Sequence, residues 1–93
     1  MTKVMMNKDK HNNIMFDCQN HADDYDVCTI VSTLCNVLVE SCFRAGGEPT
    51  IYNPGHVRID ITKAQEDTVE VFETVFEVMK QAAKQHPDYI KIY

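Results

Sequence analysis

The stretch DVCTIVSTLCNVLVESCFRAGG, residues 26–47, carries Val27, Ile30, Val31, Leu34, Cys35, Leu38 and Cys42 at spacings of three and four. That period gathers the apolar side chains on one side of an α-helix. Gly46 and Gly47 supply the C-terminal stop, because glycine enters the left-handed region at no steric cost. An amphipathic helix with one buried face needs a partner layer, and the flanking segments supply it.

Before the helix, MTKVMMN (1–7) is apolar, NKDKHNN (7–13) is a polar turn, and IMFDCQ (14–19) alternates Ile14, Phe16 and Cys18 with polar or flexible neighbours. This reads as a β-hairpin. After the helix, Asn53, Pro54 and Gly55 separate two strand-like runs, Thr50–Tyr52 and His56–Ile61, giving a second hairpin. Thr62 and Gln65 match the T-x-x-Q capping box. Behind them Val69, Phe72, Val75, Phe76, Met79, Ala82 and Ala83 mark a second amphipathic helix, ending near His86-Pro87. YIKIY (89–93) closes the chain as a strand. The order ββαββαβ predicts an α+β fold, a two-layer sandwich of two helices on a mostly antiparallel sheet.

A chain of 93 residues that is 44% hydrophobic, with three glycines and three prolines, predicts one domain spanning 1–93. The net charge of −5 and the scatter of the nine Lys and Arg argue against nucleic acid as a partner. The longest apolar run falls short of the ~20 residues that span a bilayer, so no membrane is expected and the cytosol is the expected compartment. Cys28, Cys35 and Cys42 recur every seven residues, about 10 Å apart along one helix, too far for a disulfide between neighbours. Reduced thiols are the default there.

His21 sits just past the predicted strand end and Cys28 in the first helical turn, where unpartnered N–H groups and the macrodipole favour an anion. A thiolate there is a nucleophile, the free N–H groups would bind an oxyanion, and histidine would serve as base and then acid. Asp23, Asp24 and Asp26 add negative charge that opposes thiolate. Asp24 or Asp26 would instead cap the helix or orient His21. Two other readings compete. Cys28 shares a face with Cys35 and Cys42, as a simple core residue would. Cys18, His21 and Cys28, with Asp23 or Asp24, also offer metal ligands, though without the paired spacing of a zinc site.

His21-Ala22, Asp26-Val27-Cys28 and Val31-Ser32 with Leu34 resemble the ribosomal-processing cysteine protease (Prp) family, whose members carry Gly-His-Ala, a loop, and a helix opening Asp-Ile-Val-Cys-Ala-x-x-Ser. Gly55-His56 leading into a strand and the terminal Tyr-Ile-Lys-Ile-Tyr extend the resemblance over nearly the whole chain. It implies a cysteine endopeptidase with Cys28 as nucleophile, His21 as base, and Asp26, Asp24 and Ser32 in support. Tyr25 and Asn20 stand where they would touch substrate. It also implies an α/β sandwich, a homodimer and no cofactor or metal. The implied substrate is the N-terminal extension of a large-subunit ribosomal protein, or a phage structural protein. Two departures stand out: the family's glycine before histidine is Asn20, and the histidine–cysteine loop is shorter and more acidic. A catalytically inactive homologue that binds peptides through the same groove is the alternative. Elsewhere, His56 is expected in an exposed turn, and Cys18, Cys35 and Cys42 in packing.

Overall fold

The computed structural model describes residues 1–93. Strands β1 (Thr2–Lys8) and β2 (Ile14–Gln19) form the first hairpin, followed by helix α1 (Tyr25–Arg44). Strands β3 (Ile51–Asn53) and β4 (His56–Ile61) form the second, followed by α2 (Glu66–Gln85) and β5 (Ile90–Ile92). The five strands make one sheet in the order β3-β4-β2-β1-β5, antiparallel except where β5 runs parallel to β1. The two helices contact each other and cover one face. The expected order and layering are therefore those observed.

The register explains the layering. Val4 lies opposite Cys18, and Cys18 opposite Val57; Phe16 pairs with Ile59. These side chains point toward the helices, where Val4, Phe16 and Ile59 are wholly buried with Leu38 and Phe72. Each such side chain stabilises the fold by about 1.5–3 kcal/mol relative to exposure. Val27, Val31, Cys35, Leu38 and Cys42 give the buried stripe of α1; Ile30 is 40% exposed and lies off it. By length and composition alone α1 is apolar enough to cross a bilayer, but here that stripe packs into the core.

Two local expectations are corrected. Thr62 does not cap α2: the N-cap is Gln65, three residues later, with no side-chain cap bond, and the helix begins at Glu66. Lys63 adopts φ 52°, and its N–H donates to Asn13 Oδ1 at 2.9 Å. The Thr62–Lys63 bend is thus tied to the first hairpin rather than to the helix start. His56 is the second correction. Half-buried at the start of β4, it places Nε2 3.2 Å from Asp17 Oδ2. Asp17, buried on the sheet, also has Arg58 Nη1 at 3.6 Å. A buried carboxylate needs such partners, and β4 supplies both from neighbouring positions.

The second hairpin carries its own polar ladder. Arg58 Nε donates to Asp60 Oδ2 at 3.0 Å, and Thr50 Oγ1 to the same oxygen at 2.8 Å. The Arg58 guanidinium first, and the Thr50 hydroxyl after it, hold the Asp60 carboxyl below its ordinary value. A depressed folded-state value contributes stability above the unfolded value of about 4 and loses it as pH falls through the folded one. Asp60→Asn should therefore flatten the acid limb: between about pH 5 and 3 the melting temperature of the native chain should fall more than that of the variant. The effect is small because the pair is largely solvated.

Candidate active site

The site forms where the first hairpin hands the chain to α1. Asn20 takes φ 71°, a left-handed conformation that asparagine tolerates better than other non-glycine residues. Its N–H donates to Gly55 O at 2.7 Å, and its carbonyl accepts from Thr2 Oγ1 at 2.9 Å. These bonds lock the strand exit to β1 and to the second hairpin. The glycine-to-asparagine departure thus falls on a residue with positive φ, where the two residue types that adopt it most readily stand in for each other.

Past that bend, Ala22 is wholly buried and anchors the loop, while His21 points outward. Asp23 takes φ 65° and its carboxylate pairs with the Met1 amino group at 2.8 Å. Asp24 is the N-cap of α1: its backbone is extended (φ −143°, ψ 129°) and Oδ1 accepts from Val27 N–H at 3.1 Å. The Cys28 N–H bonds to Asp24 O at 2.8 Å. Two of the N–H groups expected to be free at the helix start are therefore taken. Those of Tyr25 and Asp26 have no acceptor within the protein. Replacing Asp24 with alanine removes the cap and should cost about 0.5–2 kcal/mol. Urea unfolding checks this, with Asp24→Asn or Asp24→Ser restoring most of the loss.

The loop brings Cys28 Sγ to 4.0 Å from His21 Nδ1. The other ring nitrogen faces Gly55, at φ 81° in the β3–β4 turn; a Cβ added there would lie 3.2 Å from His21 Nε2. The turn is therefore a shelf against which the imidazole rests. No carboxylate hydrogen-bonds to His21; Asp24 caps the helix, and Asp26 is exposed in its first turn with no side-chain bond.

His21 and Cys28 open into a cleft of about 430 Å³ between α1 and the second hairpin. Asn20 and Ser32 line it, as do Thr2, Val31 and Val57. Tyr25, at 85% exposure, does not, and neither do Asp24 and Asp26. At the floor lie the buried Cys18 and Cys35; the neighbouring Cys18 thiol, and then burial, push the Cys35 thiol far above its ordinary value. Burial, and then Glu48, push Cys42 up as well. No group of three or more His, Cys, Asp or Glu side chains is arranged to hold a metal ion: Cys18 turns into the core beside Cys35.

The sequence reading missed Asn36, Tyr52 and Gly55 as site residues. Asn36 follows Cys28 by eight positions and Ser32 by four, so helical spacing alone would have placed it on the cleft face. Tyr52 and Gly55 carry no such signal, because only the sheet order β3-β4-β2 brings that hairpin beside His21.

No protein-family model and no curated protein sequence matches the chain. Several solved chains share its fold. One is the essential ribosomal processing protease Prp from S. aureus, in complex with a covalently linked product peptide. It superposes with a TM-score of 0.81 at 16% identity, over 99% of this chain and 97% of the other. Another is SMU.848 from Streptococcus mutans, with a TM-score of 0.78 at 23% identity, over 99% of this chain and 91% of the other. The chain therefore has the fold of a ribosomal processing protease, with a thiol and an imidazole facing each other at the mouth of the cleft between α1 and the second hairpin.

Proposed function

We propose that the protein is a cysteine endopeptidase of the Prp type, with Cys28 as nucleophile and His21 as general base and acid. The observation that carries this reading is the 4.0 Å approach of Cys28 Sγ to His21 Nδ1 at the mouth of a cleft of about 430 Å³. His21 Nδ1 takes the thiol proton, and the thiolate attacks the scissile carbonyl. The same imidazole then gives the proton to the leaving amine, and water hydrolyses the thioester. Asn20 and Ser32 line the cleft with side chains that make no hydrogen bond within the protein, and supply polar contacts to substrate. Asp24 supports the pair by fixing the helix start, Asp26 by its place in the first turn. Tyr25, the first residue of α1, is exposed and free to meet an incoming chain.

On this reading the substrate is the N-terminal extension of a large-subunit ribosomal protein, or a phage structural protein, and the chain acts in the cytosol as a homodimer. The support is the motif His21-Ala22…Asp26-Val27-Cys28 together with the shared fold. The test is incubation with a ribosomal protein carrying such an extension: the native chain should shorten it and Cys28→Ala should not. Peptide binding that survives Cys28→Ala, with no cleavage by the native chain, would point instead to a binding module. The lack of a carboxylate behind His21 is the feature that second reading would build on.

A further inference from the structure

Cys28, Ser32 and Asn36 follow one another at single helical turns on α1, and all three line the cleft. Asn36 lies about 12 Å along the helix axis from Cys28, at 1.5 Å per residue. Across the cleft, the Tyr52 hydroxyl donates to Asn36 Oδ1 at 3.2 Å. This bond joins the helix to the β3–β4 hairpin. It also fixes the orientation of the amide: with Oδ1 engaged by tyrosine, both Nδ2 hydrogens remain available as donors. Among the cleft-lining side chains none is Asp, Glu, Lys or Arg. Apart from the imidazoles of His21 and His56, the contacts offered to a substrate are neutral.

The direction in which a peptide would lie follows from the chemistry of the pair. His21 protonates the leaving amine, so the amine half of the substrate departs on the His21 side. His21 belongs to the loop before α1 and meets Cys28 in the first turn, whereas Asn36 lies two turns the other way. The acyl half therefore runs along α1 toward Asn36. An extended chain advances about 3.3–3.6 Å per residue. Twelve ångströms is then between three and four residues, which brings the carbonyl of the fourth residue before the cleaved bond within reach.

We propose that Asn36 is a specificity-determining residue that donates to a backbone carbonyl about four residues before the cleaved bond, and that Tyr52 is a positioning residue for it. The ligand class is a neutral, extended segment on the acyl side. This rests on the cysteine-peptidase reading, and the experiment separates the two.

The probes are acetyl-alanyl chloromethyl ketones with one alanine and with four. Each alkylates a thiolate: the Sγ–carbon bond forms, chloride leaves, and His21 holds the thiol proton. The rate at Cys28 is read by mass spectrometry. In the native chain the four-alanine probe should react faster than the one-alanine probe. Asn36→Ala should slow the four-alanine probe about three- to tenfold, the worth of one hydrogen bond, and leave the one-alanine rate unchanged. Tyr52→Phe should do the same to a smaller degree. The unchanged short-probe rate shows that the variants are folded and the thiol intact. If the length dependence survives Asn36→Ala, or both probes slow together, the inference is overturned and the dyad stands. Should neither probe prefer Cys28 over the other three thiols, the peptidase reading fails and takes the inference with it.

Discussion

Replacing Cys28 by alanine is expected to lower the rate of peptide cleavage by roughly 10³-fold or more, and His21→Ala by a similar factor, with little further loss in the double variant. Residues that act as one unit lose their effect together, so this non-additivity distinguishes a dyad from two independent contributions. The same pair should be visible without any substrate. Cys28 is half-buried at the cleft mouth, whereas Cys18, Cys35 and Cys42 are 6%, 4% and 1% exposed. The neighbouring Cys18 thiol and burial hold Cys35 protonated, and burial does the same for Cys42. Iodoacetamide should therefore label Cys28 ahead of the others, and His21→Ala should slow that labelling. Equal labelling of all four thiols in the folded chain would sink the proposal.

The second large effect is expected at Gly55, a residue with no chemistry of its own. At φ 81° an alanine costs about 1–2 kcal/mol in backbone strain alone. The new Cβ would stand 3.2 Å from His21 Nε2, tight enough that the imidazole must move by a few tenths of an ångström. The exposed ring has room to yield, so the displacement falls on the Nδ1–Sγ approach rather than on the core. Gly55→Ala should thus lower both stability and cleavage, the latter about tenfold, since small misplacements of a reacting group are costly. Urea unfolding and steady-state kinetics separate the two losses. A variant with the expected loss of stability but native kinetics would show that the shelf does not position His21.

The arrangement has a simple physical logic. A short loop joins the histidine to the helix turn that carries the cysteine, and both of its ends are held. Asn20 is bonded to Gly55 and Thr2 at one end, and Asp24 caps α1 at the other. The acids that read as a liability in sequence are placed by these bonds. Asp24 turns its carboxylate onto the helix N–H of Val27, and Asp23 turns its own onto the amino group of Met1. Neither hydrogen-bonds to the imidazole, although His21, after the Met1 amino group, helps hold the Asp23 carboxyl below its ordinary value. The orientation of His21 is left to packing against the β3–β4 turn.

What local sequence determined by itself was the period of each element and hence the layering. The three-and-four spacing of Val27, Val31, Cys35, Leu38 and Cys42 makes a helix with one buried stripe wherever it is placed. The alternation of Ile14, Phe16 and Cys18 makes a strand with one buried face. These are short-range consequences of 3.6- and 2-residue repeats. The closeness of His21 and Cys28 was also legible, because only six residues separate them. Helix starts were less so: Thr62 fits a capping box, yet the Lys63 N–H binds Asn13, fifty positions away, and α2 begins at Glu66. Only tertiary structure decided what surrounds the pair. Sheet order sets β4 next to β2, and through it Gly55 meets His21 and Tyr52 meets Asn36. Those contacts join segments far apart in the chain. Their residues show no common period, so no pattern along the sequence could reveal the second wall of the cleft.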